Sequence, residues 1–207
     1  MIKAKNHTKI VAILQKHNYD STNLQCIGTG KEGQIFETEK LIFKYFPDKK
    51  IIPETTLNFI KEHILGNQEI QGLRRITDIL ETDTELVFVS PNMHCSPYKG
   101  GDEIGTLHIL KDAHKNGYVH TNFKPDNLMY SEGNVLELID VGRDVFPLTD
   151  SLFKNMVERA FLTTYYSDSP QLAKMMSALH TENRNIDEMQ LRNYSQKLCL
   201  ILGDEHE

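Results

Sequence analysis

Tyr118-Val-His120-Thr-Asn122-Phe-Lys124-Pro-Asp126-Asn127, followed thirteen residues after Asn127 by the aspartate of Leu138-Ile-Asp140-Val-Gly142, is the stretch on which the reading of the fold turns. Between these polar groups lie two short β-like runs, 128–130 and 135–139, separated by the turn residues Ser131 to Asn134. Asn127 and Asp140 therefore flank adjacent extended segments. Both are oxygen donors, the type a hard divalent cation such as Mg²⁺ accepts alongside water and phosphate. Lys124 adds a compact positive charge of the kind that meets a phosphoryl group.

Upstream, Gly28-Thr-Gly30-Lys-Glu-Gly33 has the G-x-G-x-x-G form between two β-like runs, and glycines there let backbone amides approach phosphate oxygens. The residues that follow read as a hairpin, 34–38 and 41–46 around Glu39 and Lys40, with Lys44 set in the apolar run Leu41-Ile-Phe-Lys44. A strand after the glycines, rather than a helix, argues against a dinucleotide-binding turn, and the absence of a G-K-[ST] ending excludes a Walker-type loop.

Taken together, the 118–127 stretch resembles the protein-kinase catalytic loop H-R-D-x-K-P-x-N, and Asp140-Val-Gly142 resembles the metal-binding D-F-G. The lead-in from Ala113 and His114 through Gly117 resembles the same family. The resemblance covers residues 24–144 and implies an α+β, two-lobed protein-kinase-like fold. A small β-rich N-lobe with a leading helix would occupy 1–93 and a truncated helical C-lobe 94–207, as one kinase-like domain. It implies ATP and Mg²⁺ as cofactors, with Gly28, Gly30, Gly33, Lys44 and Lys124 on the nucleotide and Asn127 and Asp140 on the metal. Lys44, Lys124, the position of Asn122 and an early-helix carboxylate would form the catalytic set. For that carboxylate Glu69 is preferred and Glu62 competes. His120 is expected to be a packed strut without chemistry of its own.

Two departures from the family pattern bear on function. Asn122 stands where the family has the aspartate that accepts the proton of the substrate hydroxyl, and an amide cannot serve as a base. Asp126, nearby in sequence, is expected to point away. This leaves a pseudokinase-like module or an aspartate-to-asparagine form of an active enzyme. The second departure is length: a helix expected from Thr149 leaves no room for a long activation segment, no A-P-E-like sequence occurs, and about 65 residues follow Gly142. Minimal kinases of this sort resemble bacterial effector kinases and carbohydrate or lipopolysaccharide kinases. The rival aminoglycoside or choline phosphotransferase pattern lacks the Lys124-Pro125 pair. The implied acceptor is a Ser or Thr hydroxyl of a protein, with a glycan hydroxyl or a purely partner-binding role as alternatives.

The remainder of the chain is consistent with that reading. Of 207 residues, 39% are hydrophobic, enough for a packed core, and 29 acidic against 23 basic residues disfavour nucleic acid as a partner. Three scattered cysteines suggest neither a disulfide framework nor a zinc site, and no apolar run is long enough to span a membrane. A cytoplasmic protein is expected, with delivery into a host cell by a route that leaves no apolar signal as the alternative. Helices are expected at 8–17, from Pro53 toward Ile70 and Leu73, and at 105–116, 152–166, 171–180 and 187–202. A strand is expected at 85–89 and a linker at 95–102.

Overall fold

Ile10, Ile13 and Leu14 recur at helical spacing, and they form the buried face of helix α1 (His7–Lys16). That face lies on a five-stranded antiparallel sheet of β1 (Gln25–Thr29), β2 (Gln34–Glu37), β3 (Leu41–Phe46), β4 (Asp78–Glu81) and β5 (Leu86–Pro91), in the order β1-β2-β3-β5-β4. The structure is a computed structural model and describes residues 6–179, 181 and 186–203. The chain divides into two compact units, 1–68 with 75–94, and 69–74 with 95–207.

In the first unit the strand period sorts residues by face. Phe43 and Tyr45 of β3, with Phe36, Leu80, Val87 and Val89, join Ile10, Ile13, Leu14 and Leu24 in one core. Residues of the opposite alternation, Phe46 and Phe88, meet edge to face with ring centroids 5.2 Å apart. Lys44 belongs to that second face and pairs in register with Ile35 on one side and Phe88 on the other. Because both faces of β3 are covered, its sequence is apolar throughout except at the lysine.

The helix expected from Pro53 toward Leu73 is shorter. Helix α2 (Glu54–Phe59) continues as a π-type turn over Ile60–Ile64 and stops, with Gly66 at φ +71° donating its N–H to the Ile76 carbonyl at 2.9 Å. The physical reason is competition. Residues 69–74 are held in the second unit, where the Gln71 and Gly72 N–H groups both donate to the Asp112 carboxylate at 3.0 Å and Arg74 N–H donates to the Leu138 carbonyl at 2.7 Å.

The second unit is mainly helical. Helix α3 (Glu103–Lys115) is capped by Asp102, whose carboxylate accepts from Gly105 N–H at 2.8 Å, and Gly117 closes it at φ +69°. Helix α4 (Asp150–Tyr166) starts at the Thr149 cap, followed by α5 (Leu172–Ala178) and α6 (Glu188–Gly203). Of the stretch expected at 171–180, His180 lies outside the described residues. Buried hydroxyls tie three of these helices together: Thr106 of α3 meets Thr164 of α4 at 2.8 Å, and Tyr194 of α6 donates to Thr106 at 3.0 Å. Among the described residues no helix is long and apolar enough to cross a membrane.

Five short strands complete the second unit. The expected linker carries β6 (Ser96–Pro97), which pairs with β8 (Leu128–Tyr130), and β8 pairs with β9 (Leu136–Leu138). The other two, β7 (Tyr118–His120) and β10 (Val145–Pro147), form an antiparallel pair with Val145 opposite His120. The architecture is α+β: a small antiparallel sheet with its helix between β3 and β4, then a mainly helical unit bearing a loop after β7.

Candidate functional site

The glycine turn lies in the first unit. Gly28 pairs with Ile35 and Thr29 with Gln34, and Gly30 N–H donates to the Gly33 carbonyl at 2.8 Å across the turn. The three glycines are not equivalent. A Cβ on Gly33 would stand 2.0 Å from the Tyr45 carbonyl oxygen, so only glycine permits that approach of β2 to β3. A Cβ on Gly30 would meet nothing nearer than 4.0 Å, and one on Gly28 would make ordinary contact with Ile35 at 3.6 Å. Protein packing thus requires Gly33 and leaves room at Gly28 and Gly30.

Lys44 is largely buried, its side chain 14% exposed, with its ammonium 3.8 Å from the Glu32 carboxylate of the glycine turn and 5.0 Å from the Phe46 ring centroid. The two glutamates considered from sequence differ in place. Glu62 is 71% exposed and its carboxylate lies 3.8 Å from His63. Glu69 falls in a bend of the second unit, beyond the end of the helix on which it was expected.

The second unit brings His120, Asn122, Asn127 and Asp140 into one hydrogen-bonded constellation. Fully buried His120 accepts from Asn122 N–H at Nδ1, 3.3 Å, and its Nε2 lies 3.0 Å from the Asp140 carbonyl. An N–H donor at Nδ1 and a carbonyl at Nε2 are satisfied together by the neutral tautomer protonated at Nε2. His120 is therefore the strut expected of it, holding the backbone at Asp140 against the backbone at Asn122.

Lys124 is extended, as residues before proline are, and Pro125 opens a single 3₁₀ turn over Pro125–Asn127. The turn sends successive side chains in different directions. Asp126 is 86% exposed and 3.8 Å from the Lys124 ammonium, whereas Asn127 is buried and donates through Nδ2 to the Asn122 carbonyl at 2.9 Å. That bond fixes which end of the amide is nitrogen. Asn127 Oδ1 accepts no hydrogen bond among the described residues. The Asn127 carbonyl in turn accepts from Ile139 N–H at 2.9 Å, which brings the backbone leading to Asp140, just past the end of β9, beside Asn127.

An amide oxygen and a carboxylate on neighbouring backbone suit Mg²⁺, which takes one or two protein oxygens and completes its shell with phosphate and water. Among the described residues no group of three or more His, Cys, Asp or Glu could hold a metal, so a zinc-type centre has no donor set there.

One residue absent from the sequence reading stands next to position 122. Asp144 accepts from Asn122 Nδ2 at 3.1 Å, and its own carbonyl accepts from Thr121 N–H at 2.8 Å and from the Thr121 hydroxyl at 3.3 Å. The β7–β10 pairing is what carries Asp144 there. The available signal was the apolar triplet Val145-Phe-Pro147, too short to read as a strand by itself.

No family model matches the chain, and no curated protein matches it. Among solved structures, the crystal structure of the BubR1 kinase domain matches with a TM-score of 0.49 and 15% sequence identity, covering 99% of this chain and 95% of that chain.

Proposed function

We propose that the chain is a phosphotransferase of the protein-kinase-like type that transfers the terminal phosphoryl group of ATP, with Mg²⁺, to a hydroxyl, the first candidate being Ser or Thr of a protein. The observation that carries this reading is the set of bonds from His120 to Asp140, from Asn122 to His120 and from Asn127 to Asn122. They tie the backbone at Asp140 to the loop that carries Asn122, Lys124 and Asn127, and phosphoryl transfer depends chiefly on charges and dipoles fixed in advance. In the first unit Gly28 and Gly30 would admit the phosphates and Lys44 would bind them. The part given to Glu69, steadying Lys44, belongs to the same proposal.

Bound Mg²⁺ would neutralise phosphate charge, held by Asn127 Oδ1 and the Asp140 carboxylate. Lys124 would meet the transferring group as a point charge. All three cysteines are free, which accords with a reducing compartment, the cell's own cytoplasm or that of a host.

A second reading, a nucleotide- or partner-binding module, is favoured by Asn122 itself, since an amide at that position is no base. Thermal unfolding with ATP and Mg²⁺, followed by phosphate transfer to a protein panel and a glycan panel, separates the two. ATP at one hundred times its dissociation constant should stabilise the fold by about 2.7 kcal/mol. Stabilisation with transfer supports the enzyme, stabilisation without transfer the binding module, and no stabilisation defeats both.

A further inference from the structure

Asp126 follows position 122 closely in sequence and Asp144 is brought to it by the β7–β10 pairing, and their surroundings differ. Asp126 is 86% exposed beside Lys124. Asp144 is 20% exposed, its backbone is pinned to Thr121 by two hydrogen bonds, and its Oδ2 accepts from the Asn122 side chain at 3.1 Å. Arg143 Nε lies 3.9 Å from its Oδ1, and the Asp144 charge favours the protonated state of half-buried Arg159, whose pKa is lowered chiefly by burial. That carboxylate is oriented and still reachable from solvent. The amide at 122, with its nitrogen committed to Asp144, holds the carboxylate rather than replacing it.

We propose that Asp144 is the catalytic base of this site and that Asn122 is its positioning residue, so that the proton-accepting carboxylate has moved from the loop after β7 to the start of β10. This rests on the phosphotransferase reading. The acceptor hydroxyl oxygen attacks the terminal phosphorus of a nucleoside triphosphate while its proton passes to an Asp144 carboxylate oxygen. The new O–P bond forms as the bond between the terminal phosphorus and the bridging oxygen breaks. The bridging oxygen leaves with the electron pair on the nucleoside diphosphate, and the proton on Asp144 is returned to water.

The test uses water as the acceptor, so that no protein substrate has to be identified: ADP release from ATP and Mg²⁺ by the full chain, with nucleotide-dependent thermal stabilisation measured alongside. Asp144→Asn keeps an oxygen that can accept from Asn122, so a purely structural role would survive it. Expected is a fall of at least tenfold in kcat, the lower end of what a general base supplies falling above that, with KM for ATP and the thermal shift retained. Asp126→Asn is expected to keep the parent rate. The double variant Asn122→Asp with Asp144→Asn exchanges amide and carboxylate across the same hydrogen bond and is expected to regain turnover.

A parent rate in Asp144→Asn overturns the inference, as does loss of activity in Asp126→Asn or a folded, nucleotide-binding double variant without turnover. A parent protein that binds nucleotide without releasing ADP overturns it while leaving the binding-module reading in place. A parent protein that shows no nucleotide stabilisation overturns the phosphotransferase reading itself.

Discussion

Asn127 Nδ2 donates to the Asn122 carbonyl at 2.9 Å, so one side chain both locks the loop and turns its own amide oxygen away from that bond. Asn127→Ala removes both functions. The unpaired Asn122 carbonyl should cost about 1–3 kcal/mol in urea unfolding, and the Mg²⁺-dependent part of ATP stabilisation should vanish. Asn127→Asp should behave alike in stability, because a carboxylate cannot donate to a carbonyl. A variant that keeps the full Mg²⁺-dependent shift would remove Asn127 from the proposed metal site.

The glycine turn separates packing from binding. Gly33→Ala forces a methyl to within 2.0 Å of the Tyr45 carbonyl and should lose about 1–3 kcal/mol of stability through backbone displacement. Gly30→Ala has open space and should leave the melting temperature unchanged without nucleotide while weakening ATP binding. Paired melting curves with and without ATP check this. Equal effects of the two substitutions on the nucleotide-free protein would contradict the difference in packing.

These two positions show what sequence alone could carry. The turn carrying Gly28, Gly30 and Gly33 before a strand with Lys44, and the loop carrying His120, Asn122 and Asn127, were legible because each leaves a local pattern of residues. What was hidden depended on long-range pairing. Asp78 in β4 is held by Tyr19, 59 positions away, and Asp112 draws residues 69–74 out of the helix on which Glu69 was expected. Strands of three residues, such as β7 and β10, leave too short a period to read, and with them Asp144 went unnoticed.

Asn122→Asp, which puts an aspartate at the loop position after β7, should also carry a stability cost. It replaces an amide donor by a second carboxylate about 3 Å from Asp144, and two like charges at that distance resist joint ionisation. With partial solvent screening the penalty should be on the order of 1–2 kcal/mol at neutral pH. The sign follows from the pair. Protonating one carboxylate relieves the repulsion, so the variant's deficit relative to the parent should shrink as pH falls through the carboxylate range. Urea midpoints of parent and variant at pH 7 and at pH 4–5 test it, and a deficit that grows on acidification would refute the contact.

Alkaline pH probes both units at once. Burial, followed by the hydrogen bond to Asp78, pushes Tyr19 up to about 12, and burial with the bond to Asp102 does the same for Tyr130. Tyr98 and Tyr165 are also pushed up to about 12, in each case first by burial. A phenol whose folded pKa lies above its unfolded value of about 10 contributes stability that is complete below pH 10 and is lost as pH rises toward 12. The melting temperature should therefore fall steeply between pH 10 and pH 12, with native phenolate absorbance for these tyrosines developing near pH 12. Tyr19→Phe should shallow the fall, since phenylalanine keeps the packing without the ionisable group. Native tyrosines that all titrate near pH 10, or a melting temperature level across that window, would show that these hydroxyls are not held as the Asp78 and Asp102 contacts require.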